Sequence, residues 1–277
     1  MGPHGNPKVP PARRPDGGDT RRLGRRHWAL LALLAEHGVL HTGQITALLF
    51  GSRPAAVRHL TRLMRAGLVR RFVHRNDPTH LAYYELSADG AERLTVRLRE
   101  ANRPVPVAMG KPGPDLFVVN EFFVGLVGEA RRQGRGVLFR WRRALEAAVW
   151  LREHAVPAAP SAYGVWIEDG AAVRFLLHVD HDKPGRLSST PAPPAAAWLA
   201  DYRQAPRGVP ATAVLVLCPT RQREDELHRD LTADPLPVTV ATTTFEQLAT
   251  AGNGAEAIWR VVGAEPAVLL RLAEIGR

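Results

Sequence analysis

The sequence predicts an α+β protein of two domains: an N-terminal winged helix-turn-helix and a C-terminal α/β domain around a central mixed sheet. Three observations carry that reading. Charge is one-sided: residues 1–103 hold 18 Lys and Arg against 8 Asp and Glu, whereas residues 104–277 hold 19 of each, so the formal +10 falls entirely in the first part. Apolar periodicity then runs helix, helix, helix, hairpin, helix to about residue 101, and beyond it strands and helices alternate. Between the two, residues 104–114 are rich in Pro and Gly and read as a linker.

Residues 1–22 combine Pro, Gly and Arg with almost no apolar content, the composition of a disordered basic arm. The first domain spans 23–103. Its first helix is predicted over 25–37, with Trp28, Leu31, Leu34 and Ala35 on one face and Gly38 as the stop. Thr42 is expected to cap a short second helix, with Ile45, Leu48 and Leu49 on its apolar side. Ser52 and Pro54 open a third helix ending at Gly67, whose core face is read as Val57, Leu60, Leu63 and Met64. Strands at 68–75 and 81–86 flank the turn Asn76-Asp77-Pro78, and Ser87 caps a helix to about 101.

The second domain, 115–277, starts with a helix over 116–133. Strands follow at 137–142, 162–168 and 173–180, then a helix at 194–204 and a strand at 213–218. A helix at 221–231, a short strand at 238–241 and a last helix from Thr244 complete an α/β pattern.

Composition narrows the function classes. The 45% hydrophobic fraction suits a folded protein. The single cysteine, Cys218, excludes an internal disulfide and suits a reducing cytosol; its apolar neighbours make it a buried thiol. The apolar run at 28–35 follows four arginines, but Glu36 and His37 end it short of the ~20 residues that span a bilayer. A cytoplasmic protein without a membrane segment is expected. Arg outnumbers Lys 34 to 3, a skew that GC-rich coding explains in part.

On the third helix, Arg53, Arg58, His59, Arg62 and Arg65 fall outside the apolar face, and Arg58, Arg62 and Arg65 follow i, i+4, i+7 spacing. A recognition helix needs an apolar side docked on its own domain and guanidinium groups that reach phosphates or guanine edges. Arg70, Arg71, His74, Arg75 and His80 would form a basic wing for backbone or minor-groove contact. Double-stranded DNA is the partner this pattern implies.

The chain resembles the actinobacterial replication-relaxation family over about residues 25–262. The resemblance is carried by Glu36-His37-Gly38-Val39-Leu40, Leu68-Val69-Arg70-Arg71 and Leu86-Ser87-Ala88-Asp89-Gly90 in the first domain. In the second it is carried by Val119-Asn120-Glu121-Phe122, Trp141, Pro160-Ser161-Ala162-Tyr163-Gly164 and Leu177-His178-Val179-Asp180. It implies a winged helix joined to a PD-(D/E)XK nuclease-like domain and a role in plasmid or mobile-element replication; the second domain is then expected to act in homodimerisation or in recruiting replication or conjugation proteins. The chain departs from that pattern where Pro160-Ser161-Ala162 replaces Pro-Asp-Ala, and where His178 replaces a Glu two before the Asp.

Those departures remove carboxylates that a metal-dependent nuclease needs, so the expectation is an inactive nuclease-like domain with no cofactor. Were it active, Asp180, Lys183 and Glu121 would be the catalytic set, with Mg2+ or Mn2+. Alternation also places His178, Asp180 and Asp182 on one strand face, where they could hold Mn2+ or Zn2+. A third reading is a transcription regulator whose second domain senses a ligand. The histidines of the first domain show no metal-ligand spacing, and no phosphate loop or Ser-His-Asp grouping is present.

Overall fold

The computed structural model describes residues 23–73, 81–105, 115–180, 197–205 and 208–276. The arm at 1–22, the wing residues His74, Arg75 and His80, most of the 104–114 stretch, and Asp182 and Lys183 lie outside the described residues.

The N-terminal part runs α1 (Arg25–His37), β1 (Leu40–His41), α2 (Thr42–Leu49), α3 (Arg53–Arg65), β2 (Val69–Val73), β3 (Ala82–Leu86) and α4 (Ala88–Glu100). The strands form an antiparallel sheet in the order β1-β3-β2. Leu30, Leu31 and Leu34 of α1 meet Ile45, Leu60, Leu63 and Leu94 in one apolar cluster. Ser87 caps α4 as expected, its hydroxyl accepting from the Gly90 N–H.

Two local expectations are corrected. Val57 is 43% exposed, and Ala56 takes the buried position beside Leu60 and Leu63. The cap of α2 is His41 and not Thr42: its Nδ1 accepts from the Gly43 and Gln44 N–H groups, and Gln44 reaches back to the His41 N–H.

The C-terminal part begins with α5 (Leu116–Gln133), β4 (Val137–Arg143), α6 (Ala144–Glu153), β5 (Ala162–Glu168) and β6 (Ala171–Val179). A 3-10 helix (Ala197–Gln204) precedes β7 (Ala213–Cys218), α7 (Arg221–Ala233), β8 (Thr239–Thr244), α8 (Phe245–Ala251) and β9 (Arg260–Val261). The sheet order is β4-β5-β6-β7-β8-β9. β4, β5 and β6 are antiparallel neighbours, β6-β7-β8 are parallel, and β9 is antiparallel to β8.

An apolar layer lies on each face. Phe122, Phe123 and Leu126 of α5 pack with Trp166, Phe175 and Trp259 on one side; Leu151, Leu199, Tyr202 and Leu227 pack with Val214 and Val216 on the other. Each fully buried side chain of this size contributes about 1.5–3 kcal/mol. Cys218 is buried, and burial pushes its thiol pKa up, so it is no nucleophile. The helix expected at 194–204 is a 3-10 helix from Ala197, and α6 and β9 were not anticipated.

The two parts share a contact built on α5. Asn120 Nδ2 donates to the carbonyls of Val39 at 2.6 Å and His37 at 3.3 Å. Arg131 donates to the carbonyls of Ala47 and Leu48. The His37 ring stacks on Trp141 at 3.7 Å between centroids, and Val39, Tyr83 and Leu116 bury one another.

Candidate nucleic-acid interface

The outward face of α3 follows from its inward one. With Ala56, Leu60 and Leu63 committed to the core, the opposite side of the helix carries Arg53, Pro54, Arg58 and Arg65, all exposed, and half-buried Thr61. Arg53, Arg58 and Arg65 have no ion pair among the described residues, and the helix has no acidic residue to neutralise them. Arg65 also sits in the last turn, where a cation complements the carbonyl end of the helix dipole. Arg62 is different: it is half-buried at the border of the core face.

His59 is drawn inward. Its Nδ1 lies 3.1 Å from His27 Nε2, and its ring stacks on Phe50 at 4.9 Å. Burial first, then the neighbouring cations, hold both histidines below the ordinary range, so one neutral ring donates to the other. This pair fixes the start of α1 against α3 and leaves His59 little freedom to reach a ligand.

On the hairpin, Arg70 and Arg71 are both exposed, a break in the alternation expected of the strand. Arg70 sits across from Glu85 and pairs with it at 2.9 Å. Arg71 makes no ion pair among the described residues and faces solvent next to α3's strand connection. The exposed cations without an ion pair among the described residues are therefore Arg53, Arg58 and Arg65 on α3 and Arg71 on β2.

The nuclease-type residues are placed in two separate environments. Glu121, on α5, faces the N-terminal part: His41 Nε2 donates to its Oε2 at 3.4 Å and Gln44 Nε2 at 3.0 Å, and these bonds hold the carboxyl below its usual range. Asp180, at the end of β6, is 5% exposed and accepts from Arg223 Nε of α7 at 2.8 Å. His178 shares a 2.6 Å hydrogen bond with the Tyr202 hydroxyl, and burial pushes its pKa down to about 3. Ser161 donates to Asp115 at 2.5 Å and accepts from the Val179 N–H.

This donor set does not suit a divalent metal. The carboxylate of Asp180 is already neutralised by a guanidinium, the ring nitrogen of His178 is engaged by Tyr202, and a hydroxyl stands at Ser161. Among the described residues no three His, Cys, Asp or Glu are grouped to hold a metal ion. The sequence reading did not single out Asp115, Tyr202 or Arg223; each contact spans more than 20 positions, beyond any local pattern.

Comparison with known proteins adds the family. The profile described as Replication-relaxation matches residues 31–204. The chain belongs to this family. The replication-relaxation match runs from α1 through β6 into the 3-10 helix, so it takes in both parts of the fold. No curated protein matches the chain.

Local likeness to solved structures includes NadR in complex with 4-hydroxyphenylacetate, at 33% identity over 28% of this chain and 54% of NadR, with a TM-score of 0.26. A MarR mutant from E. coli complexed with operator DNA matches at 18% identity over 36% of this chain and 64% of that one, TM-score 0.28. Lactococcus lactis ZitR matches at 20% identity over 38% and 80%, TM-score 0.22. The chain thus spans about half the length of NadR. No helix among the described residues is long and apolar enough to cross a membrane.

Proposed function

We propose that this replication-relaxation protein binds duplex DNA as a winged helix, with α3 as the recognition helix and the β2–β3 hairpin as the wing. The observation that carries the reading is the outward face of α3, where Arg53, Arg58 and Arg65 stand exposed and without ion pairs among the described residues while the other face is locked into the core. Guanidinium groups held this way bind phosphates electrostatically and read guanine edges in the major groove. Family membership supports a setting in replication, on a plasmid or an integrated mobile element.

The six-stranded sheet is read as a nuclease-like core without activity, serving dimerisation or the recruitment of replication or conjugation proteins. Its antiparallel β4-β5-β6 followed by parallel β7 supports the likeness, and the Asp180–Arg223 pair supports the loss of metal chemistry.

The test is anisotropy of a labelled duplex of about 30 bp titrated with the full chain at roughly 50 and 200 mM salt. Affinity should fall about 100-fold or more across that range if several phosphates are neutralised. Arg58→Ala with Arg65→Ala should weaken binding further, and unchanged affinity in that double variant would remove α3 from the interface.

A further inference from the structure

The outer part of the six-stranded sheet carries a second basic surface that the winged-helix reading does not use. β4 and β5 pair with a register shift between Leu138 and Arg140, so Phe139 is the extra residue of a β-bulge. The bulge turns its ring out, and Phe139 is 65% exposed. Registers then align Arg140 of β4, Val165 of β5 and Arg174 of β6 in one row across the sheet, so all three project from the same face. The next row places Arg142 opposite Tyr163.

These residues line a groove of about 280 Å3, with Trp150 of α6 forming a wall. Arg142 lies over the Tyr163 ring at 6.0 Å, and Arg140 over Phe139 at 5.9 Å. Arg140 and Arg174 are exposed, and neither they nor Arg142 make an ion pair among the described residues. The nearby carboxylates Glu36 and Glu146 act on Arg143, and Glu36, Glu146 and Glu153 line the adjoining cleft, not the groove itself. This second cleft, of about 660 Å3, shares Phe139, Arg140, Arg142 and Trp150 with the first; its carboxylates mark the end of the basic surface on that side.

We propose that this groove binds single-stranded nucleic acid, with phosphates on Arg140, Arg142 and Arg174 and an unpaired base stacked on Phe139. Guanidinium groups without ion pairs among the described residues, beside the exposed ring of Phe139, are what a flexible phosphate chain with exposed bases requires. A duplex hides its base faces in the stack and is too wide for a groove of this size. An acidic peptide would use the arginines but not the exposed ring. The site is independent of α3: it draws on β4, β5, β6 and α6 alone.

The test uses the full chain and a labelled oligothymidylate of about 20 nucleotides, beside the same titration with duplex. Arg140→Ala with Arg174→Ala should weaken oligothymidylate binding about tenfold or more, and Phe139→Ala should weaken it by a similar factor. Both variants should keep the wild-type melting temperature and duplex affinity, because all three side chains are exposed. Arg58→Ala with Arg65→Ala should show the reverse, losing duplex and keeping oligothymidylate. No oligothymidylate binding by the wild type, or unchanged binding in the groove variants, overturns the proposal. Parallel loss of duplex in those variants overturns it as well, since the groove would then belong to one duplex footprint. If only the α3 variants retain wild-type duplex affinity, the reading of α3 fails and the groove stands.

Discussion

Arg223 Nε lies 2.8 Å from Asp180 Oδ2, joining the first turn of α7 to the end of β6 at a place where Asp180 is almost wholly buried. The same guanidinium reaches Glu226 at 3.5 Å, so one cation serves two carboxylates. A buried carboxylate is tolerated because it is paired, and removing its partner strands a charge.

Replacing Arg223 with Ala should therefore destabilise the fold by about 3 kcal/mol, toward the lower end for a buried pair because Arg223 keeps some solvent contact. Asp180→Asn should cost less, since the amide oxygen still accepts from Nε. Thermal or denaturant unfolding measures both. If Asp180 were instead a metal ligand, Mg2+ or Mn2+ would raise the wild-type melting temperature and support nicking of plasmid DNA; neither is expected.

Arg62 and Arg65 should behave differently despite their place on one helix. Arg65→Ala removes an exposed cation and should weaken duplex binding by about 1–3 kcal/mol if it contacts a guanine, with little change in stability. Arg62→Ala, at a half-buried position, should lower the melting temperature and change affinity less. Equal loss of affinity with no loss of stability in both would place Arg62 in the interface.

The contrast shows where the sequence was readable. Helices with a sharp apolar stripe, such as α1 and α4, were located within a residue or two. On α3 the stripe was blurred because the buried position is an alanine, Ala56, while a larger Val57 beside it faces water. α6 left no signature: Leu145 and Val149 are exposed, Ala147 and Leu151 are buried, and the side chain of Arg143 does not cap it with a hydrogen bond among the described residues. His41 as a cap falls outside the usual Ser, Thr, Asp and Asn. The basic face of α3 was legible from charge and spacing. The partners of Asp180, His178 and Glu121 come from distant elements, which only the folded chain brings together.

Two glycines in the family-like motifs have steric roles that predict severe substitutions. A Cβ on Gly90 would lie 2.1 Å from the Leu68 carbonyl oxygen, and one on Gly164 would lie 2.2 Å from the Phe175 ring and 2.8 Å from Phe123. In a helix Gly→Ala ordinarily stabilises by about 1 kcal/mol. At Gly90 a backbone atom cannot yield, so the clash outweighs propensity, and Gly90→Ala should destabilise by about 1–3 kcal/mol. Gly164→Ala should do the same by parting the Phe123–Phe175 stack, whose rings are 5.8 Å apart. Chemical denaturation resolves both, and a stabilised Gly90→Ala would contradict the close approach of α4 to Leu68.

His37 makes the junction between the two parts sensitive to acid. Its ring is buried against Trp141, and burial, then the charge of Arg143, push its pKa down to about 3. In the unfolded chain the same imidazole titrates near 6.5. Between those values the unfolded state holds a proton that the folded state lacks, so the contribution is complete above about pH 6.5 and is lost as pH falls toward 3. At pH 5 the loss from this residue is about 2 kcal/mol, following 1.36 kcal/mol per unit. His37→Phe keeps an aromatic ring on Trp141 and removes the titration. Stability of this variant, measured by urea unfolding at pH 7.5 and pH 5, should differ between the two conditions by about 2 kcal/mol less than in the wild type. An identical pH dependence in both proteins would mean that His37 is not held neutral at the junction.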